Sequence, residues 1–157
     1  MKVIFHFLIC FLIQLSTVRG VALTSKSQCS GGGIDANGLC IIPNSFDSID
    51  PGAFSGDSTL TAIDFTANTV LTIGTAAFQG TKLTSVTFPN SLTSIGTAAF
   101  FQISTLTSVS FGAPSVLTTI GNYAFQGTSL TSVTLPSTLT DTFDPNNNTS
   151  YGCLCFR

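Results

Sequence analysis

The sequence predicts a mainly β fold built as a short solenoid, a stack of similar coils, and two spaced patterns carry this prediction. The first pattern is a leucine followed three and five residues later by two further apolar residues. It begins at Leu60, Leu83, Leu106 and Leu130, in steps of 23, 23 and 24 residues. The second pattern is an isoleucine followed five residues later by a phenylalanine, with an alanine directly before the phenylalanine. A fixed period of this length is typical of stacked supersecondary units.

The two patterns predict that each coil has two walls. Alternate side chains of an extended segment point to opposite faces, so the last two apolar residues of the leucine pattern point inward and their neighbours outward. Neighbouring coils about 4.8 Å apart then join these apolar faces into a continuous core. The isoleucine pattern supplies the opposite wall, in the pairs Ile49 and Phe54, Ile73 and Phe78, Ile95 and Phe100, and Ile120 and Phe125.

The phenylalanines of the second pattern should share one buried stack. Phe78, Phe100 and Phe125 occupy the same place in successive units, whereas Phe101 lies one residue outside the pattern. The alanine before each of these rings fits where one coil crowds the next. We therefore expect the three rings to be buried together and Phe101 to be more exposed.

The repeated phrase from Leu83 to Phe100, LTSVTFPNSLTSIGTAAF, resembles the BspA-like class of leucine-rich repeats. Units of that class read roughly L-x-x-I-x-L-P-x-x-L-x-x-I-G-x-x-A-F, and the resemblance covers residues 42–143. It implies a leucine-rich-repeat solenoid of about four repeats of 22–25 residues. The chain departs from the class after Ala-Phe, where Gln79-Gly80 and Gln126-Gly127 replace a frequent cysteine or asparagine. An internal asparagine ladder is therefore not implied.

Residues 1–20 are predicted to be a secretory signal peptide. Lys2 precedes an apolar run from Val3 to Leu15, which is too short to span a bilayer, and the small residue Gly20 lies near the expected cleavage site. A retained signal anchor is the alternative. We expect the protein to be secreted and to lie outside the cell or at the cell surface, without stable membrane insertion after cleavage.

Residues 21–42 lack the repeat pattern and are predicted to form an N-terminal cap. The triple glycine Gly31–Gly33 and the pair Asn37-Gly38 are turn signals. Cys29 and Cys40 lie within this cap, and a disulfide between them in an oxidising compartment would contribute about 3 kcal/mol by closing a short loop. The solenoid itself is assigned to residues 43–143.

Residues 144–157 are predicted to form a C-terminal cap or tail. Cys153 and Cys155 are separated by one residue, so they would form a strained small ring, remain free or link two chains. Asn147 and Asn148 are overlapping glycosylation sequons, of which crowding should allow only one to be used. An unmodified cap is the alternative.

Composition argues against catalysis, metal binding and nucleic-acid binding. Residues 21–157 contain no His, Glu or Trp, and their three cations and seven aspartates give a formal net charge of 3 minus 7, or −4. Phosphate binding needs a basic stripe, so nucleic acid is not an expected partner. Without histidine, Ser–His–Asp and Cys–His arrangements cannot be built. Asp144, Asn146, Asn148 and Ser150 have calcium-loop spacing but lack the glycine and the final carboxylate of such loops, so no metal or cofactor is expected.

The outward residues of the leucine-pattern strands form the only surface with repeat order. In leucine-rich repeats this sheet lines the side on which ligands usually dock, and the resemblance implies the same here. The candidate ligand-binding residues are Asp64, Thr66, Ser85, Thr87, Ser108, Ser110, Ser132 and Thr134. The alternative is that Ser and Thr simply favour a solvated strand.

The expected function is therefore that of a non-catalytic interaction or adhesion module that binds an extracellular protein or glycan, as the resemblance implies. A structural coat or matrix component, whose stacking is itself the function, is a second hypothesis. A remote third is ice binding, because regular Thr and Ser rows can order water.

Overall fold

The computed structural model describes residues 22–65, 70 and 72–139, and its elements below are those of this part of the chain. Nine short strands and one 3-10 helix, Lys26–Gln28, occur there. The strands are β1 (Ala22–Leu23), β2 (Leu39–Ile41), β3 (Ser48–Ile49), β4 (Ala62–Asp64), β5 (Thr72–Ile73), β6 (Ser85–Phe88), β7 (Ser94–Ile95), β8 (Ser108–Phe111) and β9 (Thr119–Ile120). From β2 onward, each of four successive coils of the solenoid contributes two strands: β2 and β3, β4 and β5, β6 and β7, and β8 and β9.

The isoleucine wall is a five-stranded parallel sheet in the order β1-β3-β5-β7-β9. Its register places Ile49, Ile73, Ile95 and Ile120 side by side, with Leu23 of β1 before them. The leucine wall consists of two parallel pairs, β2 with β4 and β6 with β8. The sequence therefore predicted the two-walled coil correctly.

Phenylalanine rings fill the space between the walls. The ring of Phe78 stacks on Phe54 and on Phe100 with centroids 5.1 Å apart in both cases, and Phe100 stacks on Phe125 at 5.3 Å. These four rings are at most 2% exposed, whereas Phe101 is half-buried. The predicted stack is therefore present, with Phe54 as a further member.

A second column of rings lines the leucine wall. Phe88 lies between Phe65 and Phe111, with centroid distances of 6.2 Å and 5.2 Å. The two columns meet edge to face, Phe65 against Phe78 and Phe88 against Phe100. Edge-to-face contact directs the positive ring edge onto the negative ring face, which stabilises aromatic pairs beyond their burial. The rings thus join both walls and all four coils.

Backbone crowding explains the small residues of the isoleucine wall turns. A Cβ atom added at Gly96 would lie 2.7 Å from the carbonyl carbon of Gly74 in the preceding coil, so only glycine fits. Ala77, Ala99 and Ala124 are fully buried where the next coil follows. The sequence pattern at these positions therefore reflects the close approach of successive coils.

The segment assigned to the cap contributes one strand to each wall. β1 pairs with β3 and β2 pairs with β4, both in parallel register. The Cys29–Cys40 disulfide is present, with its Cα atoms 5.4 Å apart. The backbone N–H groups of Ser30 and Asp35 donate to the carbonyls of Ile41 and Leu39. These bonds satisfy carbonyls of β2 that do not face β4.

Side-chain hydroxyls bind one coil to the next. Each donates to a backbone carbonyl of the preceding coil, at 2.7–3.2 Å. The donors are Thr61, Ser91, Thr105, Thr107, Thr118, Ser129 and Thr138. A net contribution of about 1 kcal/mol is typical of one such bond. Within the described residues, Ser and Thr hydroxyls thus add side-chain bonds between successive coils.

Candidate binding face

The outer face of the leucine wall carries the predicted binding residues. In β6 and β8 the side chains alternate, so Val86, Phe88 and Val109 point into the core. The residues between them are exposed and paired across the two strands, Ser85 beside Ser108 and Thr87 beside Ser110. The strand register therefore places these four hydroxyls in two rows on one surface.

Most hydroxyls of the outer face have no protein partner among the described residues. Ser110 Oγ lies 3.0 Å from Thr87 Oγ1 and donates a hydrogen bond to it. Within the same described part, the side chains of Ser85, Ser108, Ser132 and Thr134 form no bond. A free hydroxyl offers one donor and two acceptor positions. The face can therefore form hydrogen bonds with a ligand without breaking bonds of the fold.

The last two predicted residues differ from expectation in their secondary structure. Ser132 and Thr134 are exposed, but no strand is formed at these positions. In the described residues, the coil that begins at Leu130 has a neighbouring coil on one side only. The ladder is correspondingly incomplete: the Ser129 N–H donates to the carbonyl of Leu106, but no strand pairing with β8 follows. The prediction of a strand here is wrong, although the predicted exposure is right.

The N-terminal end of the outer face has a different character. Asp64 is half-buried and lies beside Ile41, whose side chain is 41% exposed. Thr66, the next candidate, lies outside the described residues, as do the signal peptide, Cys153, Cys155, Asn147 and Asn148. The described part of the face therefore changes from apolar and acidic at β2 and β4 to hydroxylated and uncharged at β6 and β8.

Charge is confined to the N-terminal half of the described chain. Its seven charged residues lie between Lys26 and Lys82, and residues 83–139 contain none. Asp57 forms an ion pair with Lys26, with Nζ and Oδ2 2.9 Å apart. It also accepts hydrogen bonds from the N–H and the hydroxyl of Thr59. Burial acts to raise the pKa of Asp57, but Thr59 and Lys26 outweigh it and the pKa is lowered.

Asp35 is held by the turn that precedes β2. The N–H of Leu39 donates to Asp35 Oδ1 at 2.9 Å, and that of Asn37 donates at 2.8 Å. These bonds, with Leu39 the strongest contributor, lower the pKa of the Asp35 carboxyl below its usual value. Both perturbed carboxylates therefore have structural partners at the N-terminal end.

A groove beside the outer face is a feature that the sequence reasoning missed. It has a volume of about 340 Å³ and lies between residues 111–115 and residues 134–138. A two-residue insertion forms one side: Phe88 and Leu92 are four residues apart in one coil, whereas Phe111 and Leu117 are six apart in the next. This change of spacing is the sequence signal that could have located the groove.

The described residues contain neither a cluster of potential metal ligands nor a membrane-spanning helix. Within ranges 22–65 and 72–139, no group of three or more His, Cys, Asp or Glu side chains could hold a metal ion. The same part of the chain contains no helix with the length and hydropathy needed to cross a bilayer.

Comparison with known proteins identifies the repeat. The model of the BspA type leucine rich repeat region matches residues 39–153 in six copies, and the match begins at the first residue of β2. A comparison with curated protein sequences gave no match.

Two solved structures are similar to this chain. The pneumococcal vaccine antigen PcpA has a TM-score of 0.51 and 23% identity, over 59% of this chain and 29% of the PcpA chain. A leucine-rich repeat protein from Bacteroides ovatus has a TM-score of 0.34 and 18% identity, over 65% of this chain and 44% of the other. This chain thus spans less than half of either structure, and the likeness to PcpA concerns the fold.

Proposed function

The chain belongs to the BspA-type leucine-rich repeat family, and from this premise we propose that it is a non-catalytic interaction or adhesion module. It acts outside the cell or at the cell surface, and it binds an extracellular protein or glycan with the outer face of the leucine wall. The signal peptide predicted from residues 1–20 and the Cys29–Cys40 disulfide support this location, because disulfides persist in oxidising compartments.

The observation that carries this proposal is the set of free hydroxyls on β6 and β8. Other hydroxyls of the same coils, such as those of Thr105 and Thr107, donate to backbone carbonyls of the preceding coil. Ser85 and Ser108 lie side by side and are exposed, and their hydroxyls have no partner in the described part of the chain. Repeat proteins bind their ligands on extended surfaces of this kind.

The test uses the secreted protein on an array of extracellular proteins and glycans. The double variant Ser108→Arg/Ser110→Arg places two bulky charges on the face without entering the core, so it should abolish binding and leave the melting temperature nearly unchanged. The matched control is Thr97→Arg/Asn122→Arg, two exposed positions on turns of the isoleucine wall. The control should bind like the unmodified protein.

Two results would contradict the proposal. Unchanged affinity of the folded double variant would exclude the outer face as the binding surface. Concentration-dependent assembly in sedimentation velocity, with no ligand bound from the array, would favour a structural coat instead.

A further inference from the structure

We propose that the groove beside the outer face binds one or two sugar units of an uncharged polysaccharide. This inference rests on the proposed binding function and names the chemical class of its ligand. The groove is defined by residues 111–115 on one side and 134–138 on the other.

The groove combines an aromatic ring with hydroxyls. Phe111 is half-buried, stacks on Phe88 at 5.2 Å, and also lines the groove. Pro114 and Pro136 add further apolar surface, while Ser137 adds an exposed hydroxyl. Small-ligand sites are typically apolar concavities of about 300 Å³ or more with a few polar groups that fix orientation. A sugar ring, with apolar C–H faces and a rim of hydroxyls, fits this combination.

The sides of the groove are held in place by bonds within the solenoid. The N–H of Val116 donates to the carbonyl of Asn90 in the preceding coil, at 3.3 Å. On the other side, the Thr138 hydroxyl donates to the carbonyl of Leu117 at 2.7 Å. The inserted loop is therefore anchored on both sides. Insertions within a single repeat commonly map to the binding face of a repeat protein.

The groove adjoins the outer face, so one polymer could contact both. Thr134 is a lining residue of the groove and also a member of the predicted outer rows. Ser110 precedes Phe111 at the end of β8, which places the hydroxyl rows of the outer face next to the groove. A chain molecule with one end in the groove would therefore continue across exposed hydroxyls.

The absence of charge decides the class of ligand. Residues 83–139, which form both the groove and the hydroxylated part of the face, contain no Asp, Glu, Lys or Arg. A charged polymer would lose hydration there without gaining an opposite charge. The strong anchors of protein interfaces are Trp, Tyr and Arg, and none of them lines the groove. A neutral, polyhydroxylated ligand is the partner that matches this surface.

The experiment measures binding of neutral polysaccharides by isothermal titration calorimetry. The probes are dextran, laminarin, mannan and soluble starch, with heparin, alginate and a proline-rich peptide for comparison. At least one neutral polysaccharide should bind saturably, and its affinity should change by less than about twofold between low and high salt because no ions are released.

Variants locate the site. Thr134→Asp and Ser137→Asp each place a charge at an exposed position of the groove, and each should weaken binding of that polysaccharide at least about tenfold, because a carboxylate buried by the ligand loses its hydration. Thr97→Asp, an equal change on the other wall, should leave affinity unchanged.

Three results would overturn the inference: no saturable binding of any neutral polysaccharide, binding of only the charged polymers or the peptide, or neutral binding that both groove variants retain. The protein could instead bind a protein ligand and no polysaccharide, with that binding abolished in Ser108→Arg/Ser110→Arg. This result would leave the proposed function intact and refute the sugar site alone.

Discussion

The N-terminal end of the solenoid, residues 22–64, differs in chemistry from the coils in residues 83–139, although both stack in the same way. The N-terminal end carries the disulfide, the Lys26–Asp57 ion pair and the backbone bonds onto β2. The later coils have no charged residue and are held by rings, parallel strands and hydroxyl-to-carbonyl bonds. Stacking of coils therefore needs only the repeat pattern, whereas closing the N-terminal end uses additional covalent and ionic bonds.

The largest effect should follow from breaking the element that both regions share. Phe100→Ala removes a fully buried ring from the middle of the stack and should lower the free energy of unfolding by about 3–5 kcal/mol. Phe101→Ala is the matched control, because that ring is only half-buried. Chemical denaturation measures both. Equal loss of stability in the two variants would contradict the ring stack.

A smaller effect should follow from opening the N-terminal end alone. Cys29→Ala/Cys40→Ala removes the disulfide and should reduce stability by about 3 kcal/mol. Hydrogen exchange should become faster at residues 22–41 and stay slow in β6 to β9, since those strands do not contact the disulfide. If the strands from β6 onward lost protection to the same degree, the two regions would be one cooperative unit and the comparison would be wrong.

The smallest effect should be a response to acid that is restricted to the same end. The pKa values of Asp35 and Asp57 are lowered in the folded protein, so their stabilisation is present above the usual carboxyl pKa of about 3.9. It is lost as the pH falls from that value through the folded pKa values. For the Lys26–Asp57 pair, whose lysine side chain is exposed, we expect less than about 1 kcal/mol.

Residues 83–139 contain no carboxyl side chain, so protonation cannot act on them directly. Backbone NMR between pH 6 and pH 2.5 should therefore show loosening near residues 26–57 before any change in β6 to β9. Lys26→Met should reduce the response, because it removes the cation that favours ionised Asp57. If β6 to β9 loosened at a higher pH than residues 26–57, the prediction that the acid response is restricted to the N-terminal end would be wrong.

The sequence predicts the regular part of the fold well because its signals are local and repeated. The positions of Phe78, Phe100 and Phe125 follow from their shared place in the unit, and the Cys29–Cys40 pair follows from their position before the repeats. Both predictions need only the spacing of residues along the chain.

The irregular parts could not be predicted because they depend on pairing between coils. Leu39–Ile41 becomes a strand by bonding to β4, whereas Ser132 and Thr134 have the repeat pattern but form no strand. A Ser or Thr hydroxyl can point to solvent, as Ser108 does, or bond to a carbonyl of the neighbouring coil, as Thr105 does. Residue type alone does not distinguish these two outcomes.

The central claim is that the uncharged later coils bind the ligand and that the N-terminal end only closes the stack. Hydrogen–deuterium exchange of the protein with and without its bound polysaccharide, or with a protein ligand from the array, tests this claim most directly. We predict protection by the ligand in residues 85–88 and 108–116 and in residues 131–138, with no change in residues 22–57. Protection confined to residues 22–57 would contradict the claim.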